Sequence, residues 1–553
     1  MSRTPLPGSA GKSSVREFAI AASAVAALLL TAPASLAQNQ PVTVAIDTQQ
    51  GRHSINPLIY GVAWASKADL ATLNAPLNRM GGNSMTGYNW AINAQNLAAD
   101  WYFESYPEQS GTPGEEADTF ISDSKASGAL PMLTVPLLGW VAKLGHNRSI
   151  LPSFSVAKYG KQCDADYWDP DAGDGLKPDC TTPIAGNDPN DAYVPDGADK
   201  EQKWIKHLVA TWGKSSNGGV GYYMMDNEPS IWFATHRDAH PKGPHAIEYR
   251  DKVIDEAAHI KALDPDALVV APEEWGWEAY FYSGYDQQYA ANHGYTKFPD
   301  HKKQQHGMDY IPWLLEEWKA AGHPVDVLSV HFYPQGGEYG SDVSTGTQLL
   351  RNRSTRQLWD PNYVAESWIG APVYLIPRLK GWVNHHYYAG TPVAITEYNW
   401  GAEDHINGAT TQADIYGIFG REGLDMGARW TVPDASTPTF KAMQMYRNYD
   451  GAKSGFGDIS VAASPSSNPD DLSAFAAIRS SDHALTVMVI SKVLSGDTPL
   501  TLSLSHFAQS GTAKVYRLTA ANSIDRLSDI SWSAGSLADT VPSQSITLYV
   551  LAK

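Results

Sequence analysis

Two short segments put carboxylates in the same local setting. YYMMDNEPS (222–230) runs from an apolar stretch into Asp226, Asn227, Glu228 and Pro229, and AITEYNW (394–400) runs from another into Glu397. Alone, an Asn-Glu-Pro triplet is a turn signal, because proline stops the strand it follows. Two carboxylic acids facing one cavity can do specific chemistry. One, kept protonated, gives its proton to a departing oxygen; the other, ionised, attacks the carbon that the oxygen leaves. This is the constellation that hydrolyses glycosidic bonds. In that reading Glu228 is the acid/base, Glu397 the nucleophile, Asn227 a hydrogen-bonding partner for the sugar 2-hydroxyl, and Tyr333 a hydroxyl that orients Glu397. Arg79, Asn83 and His331 join them as substrate-binding candidates. Aromatic faces stack on sugar rings, and Trp64, Trp90, Trp275, Trp400 and Trp430 are the candidate platforms.

Such residues need a frame that brings distant segments to one place. Eight short apolar runs are predicted as strands: 58–62, 76–80, 129–135, 221–225, 267–271, 325–330, 392–395 and 428–432. Most follow a helical pattern, at 118–127, 200–212, 246–263, 310–321, 371–386 and 411–424. Continuously apolar strands alternating with helices suit a parallel sheet covered on both faces, and eight such units suit a (β/α)8 TIM barrel over residues 56–450. The active site of such a barrel lies at the C-terminal ends of its strands. Glu228 ends the fourth strand, Glu397 the seventh, His331 and Tyr333 the sixth, and Arg79 with Asn83 the second. From 451 to 553 the texture changes to short alternating strands (475–479, 485–491, 500–504, 513–518 and 545–551), punctuated by Ser, Asn, Asp and Pro. That predicts a C-terminal β-sandwich. A further strand at 42–47, within an N-terminal segment 38–55, is predicted to join it.

Bulk properties narrow the partners. The 553 residues carry a net charge of -18, with 43% hydrophobic and 18% charged residues. The composition is globular, and the acidic balance disfavours nucleic acids and anionic membranes, which select basic surfaces. The counts of 18 Trp and 28 Tyr fit both a large packed barrel and sugar-stacking surfaces. Residues 1–37 read as an export signal: Arg3, Lys12 and Arg16, then an apolar stretch at 18–32, then Ser35-Leu36-Ala37 as a small-residue cleavage site. The expectation is a secreted monomer, extracellular or periplasmic, with no membrane attachment after cleavage. An uncleaved anchor is the alternative. The only cysteines, Cys163 and Cys180, are a disulfide candidate in an exported chain.

The two glutamate segments also resemble those of glycoside hydrolase family 44. MMDNEPSIWFATHRDAHP (224–241) resembles its acid/base segment and AITEYNWGAEDHING (394–408) its nucleophile segment. RMGGNSMTGYNWAIN (79–93), PLLGWVAK (136–143), WGWEAYFYSGYD (275–286), LSVHFYPQ (328–335), TRQLWDPNYVAESWI (355–369), IYGIFGREGLDMGARW (415–430) and YRNYDG (446–451) follow its pattern in order, so the likeness runs from about residue 42 to the C-terminus. It implies a retaining, endo-acting β-1,4-glucanase with a barrel and a β-sandwich, acting on cellulose derivatives, xyloglucan and sometimes xylan or mannan. It implies no cofactor for the chemistry, and a possible structural calcium ion. Asp169, Asp171 and Asp174, in the loop 154–175, are the local candidates for that ion, since hard cations need clustered oxygens. Readings left open are a β-mannanase or xylanase on the same barrel, and a polysaccharide-binding protein without activity. His236 and His240, four apart, invite a zinc reading, but the glutamate of a zinc protease is absent between them and a structural or subsite role is preferred. Asn147 and Asn352 fit the N-glycosylation triplet.

Overall fold

A computed structural model describes residues 38–552. The export-signal reading of 1–37 falls outside the described residues. Eight parallel strands close a barrel: β1 (Gly61–Ala63), β2 (Leu77–Met80), β3 (Leu130–Val135), β4 (Tyr222–Met225), β5 (Leu268–Glu274), β6 (Val327–Phe332), β7 (Val393–Tyr398) and β8 (Met426–Arg429). A helix follows each in turn: α1 (Lys67–Leu73), α2 (Glu115–Ser127), α3 (Ala198–Trp212), α4 (Ala246–Leu263), α5 (Tyr310–Ala320), α6 (Leu375–His386), α7 (Ile406–Glu422) and α8 (Pro438–Arg447).

Side-chain alternation divides the strands between two cores. Leu77, Met132, Met224, Val270, Val327, Ala394 and Met426, one from each of β2 to β8, form a compact layer inside the barrel. Their neighbours, such as Leu133, Tyr223, Val269 and Leu328, point outward into the core shared with the helices. The inner layer seals the barrel below the strand ends, so polar groups beyond it face one opening. The loops after β2 and β3 are long. They pair as a small antiparallel sheet, Ala94–Asn96 with Glu104–Pro107 and the latter with Leu151–Pro152, and build one wall of that opening.

The C-terminal strands make two layers. One has the order Ser536–Val541, Thr498–Ser505, Val42–Asp47, Ile459–Pro465; the other runs from Ile459–Pro465 through Leu472–Ile478, Leu485–Ser491, Ser545–Leu551 and Gly511–Leu518 to Ile524–Trp532. The N-terminal strand is parallel to Thr498–Ser505 and antiparallel to Ile459–Pro465, so it completes the sandwich as expected. Strands 472–478, 485–491 and 545–551 are buried on both faces, because the face turned from the sandwich interior packs on the barrel. The contact is close: a Cβ on Gly417 of α7 would stand 2.1 Å from the Phe475 ring. A buried ion pair, Lys492 Nζ to Asp414 at 3.0 Å, fixes the same seam.

Several boundaries differ from expectation. Residues 57–60 form a 3-10 turn capped by Asn56, and β1 begins only at Gly61, where a Cβ would stand 2.4 Å from the Gly427 carbonyl oxygen. β5 continues past Pro272 to Glu274, and β7 runs to Tyr398, so Glu397 lies in the strand rather than after it. Ile459–Pro465, Ile524–Trp532 and Ser536–Val541 are additional sandwich strands. Ile524–Trp532 lies at a sheet edge with most side chains exposed, so no apolar alternation marked it.

Candidate active site

Strands β2, β4, β5, β6 and β7 bring five charged groups together above the inner apolar layer. Arg79 is fully buried and spends its guanidinium on the others: Nη1 donates to Glu397 Oε1 at 2.6 Å, and Nη2 to Glu273 Oε2 and Asn227 Oδ1, both at 3.0 Å. Its Nε rests on Met224 Sδ of the layer beneath, at 3.1 Å. His331, paired in register with Glu397 across β6 and β7, is also fully buried. Its Nδ1 lies 2.8 Å from Glu228 Oε1 and 3.5 Å from Glu397 Oε2, and its Nε2 lies 3.2 Å from Glu273 Oε2. The Tyr333 hydroxyl donates to Glu397 Oε2 at 2.8 Å. One oxygen each of Glu228 and Glu397 and one nitrogen of His331 lie within 4.8 Å of one another. The two glutamates therefore converge, each with part of its carboxylate open to the cleft; their side chains are 14% and 6% exposed.

Local backbone geometry aims these groups. Asp226, Glu228 and Glu273 all have positive φ (68°, 47° and 58°), a conformation that costs a non-glycine residue of order 1–3 kcal/mol and survives only where the surroundings impose it. At β4 the surroundings are visible: buried Asp226 accepts from the Thr86 hydroxyl and from the amides of Leu137 and Asn227. The Glu228 amide donates to the Glu273 carbonyl oxygen, and Pro229 starts a 3-10 turn. Gly82, at φ 90°, has no room for a side chain: a Cβ would meet the Trp430 ring at 2.4 Å.

The charges set the protonation states. Burial opposes a charged His331, but Glu397, Glu228 and Glu273 outweigh it and carry the imidazole up to about 10. Burial likewise favours neutral Glu273, but His331 and Arg79 overcome it and hold the carboxyl down at about 2. Glu228 is raised, first by burial and then by the negative charge of Glu397; the hydrogen bond from His331 acts against this. Burial beside Glu397 and Glu228 also pushes the Tyr333 phenol well up, so it stays a donor.

The other expected site residues divide. Asn227 takes Gly82 N and Arg79 on its Oδ1 and donates through Nδ2 to Asn83 Oδ1, so Asn83 supports Asn227 from the cleft wall. Trp64 and Trp430 flank the opening, Trp64 with its indole donating to the Gly81 carbonyl oxygen and Trp430 with its ring 5.7 Å from the Arg79 guanidinium carbon. Arg79 and His331 lie behind the carboxylates and are buried, so they act through those groups rather than on a sugar. Trp400, expected as a sugar platform, is instead 2% exposed, donates to Ser354 and packs on Phe332 and Tyr398, with no free face. Trp90 stacks on His207, and Trp275 donates to Gln287. His240 spends its ring nitrogens on Lys242 O and Glu248, which leaves no zinc-ligand pair with His236. Asn352 is buried and bonded to Lys492 O, out of reach of a glycan.

Glu273 is not among the residues expected from the sequence, because the apolar run of β5 ends before Pro272 while the strand itself continues to Glu274. The signal in the sequence is that β5, like β4, passes from an apolar run into acidic or amide residues beside a proline, here Pro272-Glu273-Glu274.

In the loop 154–175, Asp171 is occupied by Ser155 and the Ala157 amide, and Asp174 by the Leu176 amide. Asp169 accepts from the Asp171 amide and Asp166 from the Trp168 amide, and both lie near buried Glu104, whose carboxyl is pushed up to about 8 by burial, by Asp166 and by Asp169. Glu104 Oε1 has no hydrogen-bonding partner among the described residues. Glu104, Asp166 and Asp169 cluster carboxylate oxygens of the kind a hard cation needs, next to Asp171 and Asp174 of the expected trio. A disulfide ties Cys163 of this loop to Cys180 just beyond it.

A family model described as glycoside hydrolase family 44 matches residues 94–336. Endoglucanase A of Paenibacillus lautus is 32% identical over 523 residues, covering 89% of this chain and 69% of that protein. The crystal structure of CelM2, a bifunctional glucanase-xylanase protein from a metagenome library, superposes with a TM-score of 0.91 at 57% identity, over 93% of this chain and 100% of that one. A Paenibacillus polymyxa xyloglucanase from glycoside hydrolase family 44 superposes with a TM-score of 0.77 at 27% identity, over 93% of this chain and 100% of that one.

Proposed function

The chain belongs to glycoside hydrolase family 44, and on that premise we propose that it is a secreted, retaining endo-glycosidase that cleaves β-1,4-glucan backbones, xyloglucan included, with Glu228 and Glu397. The observation that carries the mechanism is the approach of the two carboxylates to within 4.8 Å. Retaining enzymes hold the pair about 5–5.5 Å apart, whereas inverting enzymes leave roughly 6.5–9.5 Å for a water molecule.

The proton inventory says which acid does what. Arg79 and imidazolium His331 supply two positive charges; Glu273 and Glu397 supply two negative ones. A third anion would be uncompensated and buried, so Glu228 holds the proton. In the first step Glu228 gives that proton to the glycosidic oxygen as Glu397 attacks the anomeric carbon, forming a glycosyl-enzyme ester and releasing the leaving chain. In the second, Glu228 takes a proton from water, whose oxygen displaces Glu397 from the same carbon. Tyr333 and Arg79 hold Glu397 in line throughout. Asn227 Nδ2 has a second hydrogen to offer the sugar 2-hydroxyl, a contact that strengthens in the transition state.

Proton NMR of freshly cleaved oligosaccharide is the test. The β-anomer accumulates first and mutarotates later; first appearance of the α-anomer overturns the retaining mechanism. On the same neutral β-glucan, viscosity falls well ahead of reducing-end release if cleavage is internal. Xylan is the second substrate to assay, on the strength of the bifunctional glucanase-xylanase neighbour.

We propose in addition a structural calcium ion held by Glu104, Asp166 and Asp169, with no part in the bond-breaking steps. Binding to the folded state alone stabilises it by about 2.7 kcal/mol at a hundredfold excess over Kd. Calcium therefore raises the melting temperature of the wild type and not of Glu104→Gln; equal shifts in both remove these ligands. The Cys163–Cys180 bond and the residue 1–37 signal support export to an oxidising compartment, and N-terminal sequencing of the mature protein tests it. All groups of the site come from one barrel, which fits action as a monomer.

A further inference from the structure

Outside the carboxylate pair, an unusual concentration of exposed aromatic surface stands on the wall built by the loops after β2 and β3. Trp101 is 40% exposed, Trp168 75% and Tyr167 86%. Trp101 and Trp168 come from different loops, yet their rings are 5.8 Å apart at 31°. Bare rings of this size are a cost in water unless something covers them. The loops are built to hold them there. The Cys163–Cys180 disulfide closes the segment carrying Tyr167 and Trp168, and the Tyr102 hydroxyl, next to Trp101, donates to Asp164 of that segment at 2.8 Å. Just before the segment, the Gln162 side chain bridges the Phe154 carbonyl oxygen and the Gly175 amide within it.

The patch is continuous with the catalytic cleft. Asp100, adjacent to Trp101, accepts from Asn83 at 3.1 Å, and Asn83 in turn accepts from Asn227, the neighbour of Glu228. We propose that Trp101 and Trp168 form a distal platform for the same neutral β-glucan chain, several sugar units away from the bond that is cut, and that the disulfide-closed loop is the device that keeps Trp168 in place. This rests on the endo-glycosidase reading given above. A polysaccharide fits the patch because its sugar faces are apolar and its chain is long enough to reach from one carboxylate pair to a second contact. An uncharged occupant also suits a protein of net charge -18.

The test compares a polymer with a short substrate. The polymer is hydroxyethylcellulose and the short substrate cellotetraose. For Trp168→Ala, the ratio of kcat/KM on polymer to kcat/KM on tetramer falls about three- to tenfold, the range of one aromatic contact. Trp168→Phe recovers most of the ratio, which a lost structural contact would not do. Electrophoresis through a gel containing hydroxyethylcellulose reads binding directly, without turnover: the wild type is retarded, Trp168→Ala less so, and the Cys163→Ser/Cys180→Ser double variant likewise. An unchanged ratio with unchanged retardation overturns the platform. A parallel loss on both substrates with a lowered melting temperature assigns Trp168 to packing and overturns it too. Absence of turnover on either substrate by the wild type would count against the glycosidase reading, while the gel would still judge the platform.

Discussion

Replacing Glu397 with alanine lowers kcat on a soluble β-glucan by about 10⁵-fold, because removing the nucleophile abolishes the covalent route rather than weakening it. That is roughly 7 kcal/mol of transition-state stabilisation. Azide then distinguishes a lost nucleophile from a collapsed site. It enters the space left on the face opposite the leaving group, and the product expected is the α-glycosyl azide. Alanine also deprives Arg79 and Tyr333 of a partner, and breaking a buried ion pair is destabilising by about 3–5 kcal/mol. Glu397→Gln keeps the shape and one acceptor oxygen for Arg79, so it separates the two effects: it is as inactive, with a smaller loss of melting temperature. Retention of more than about a ten-thousandth of wild-type turnover in folded Glu397→Gln would remove Glu397 from the nucleophile role, since loss of a merely assisting group costs about 10²–10⁴-fold.

The second large effect is at Glu228. Glu228→Gln loses about 10²–10⁴-fold in kcat on glucan, whose leaving alcohol needs a proton. It loses far less on an activated aryl glycoside, whose leaving group departs unaided. The pH profile of kcat/KM carries a further sign. Glu228 must hold its proton in the free enzyme, and burial with the nearby Glu397 charge raises its pKa above the ordinary glutamate value. Activity therefore falls as pH rises through that raised value, and Glu228→Gln lacks this alkaline limb. Glu273→Gln tests the support behind it. With the anion across the ring removed, His331 falls from its value of about 10, and an imidazole that loses its charge no longer favours ionised Glu228. The alkaline limb then moves to higher pH. A limb that stays in place, or moves down, would show that Glu273 packs the site without tuning it.

The sequence by itself determined a good deal. Largely apolar runs between helical patterns marked the starts of β2 to β7 to within two residues, because a strand buried on both faces fills most of its positions with apolar side chains. The ends of β4 and β7 marked Glu228 and Glu397, because catalytic acids in a barrel stand where apolar strands give way to polar residues. What tertiary structure alone decided is which polar groups lie in front and which behind. Arg79, His331 and Trp400 carry the same side chains as a substrate-binding set would, yet all three are buried, and only the closed barrel shows it. Glu273 is invisible as part of the site until β5 is placed between β4 and β6, where one carboxylate reaches Arg79, His331 and Thr396 at once. The physical reason is range. Strand and helix patterns are written in neighbours along the chain, whereas protonation is set by charges a few ångströms away in space and, for Arg79 and Glu397, 318 positions apart in sequence.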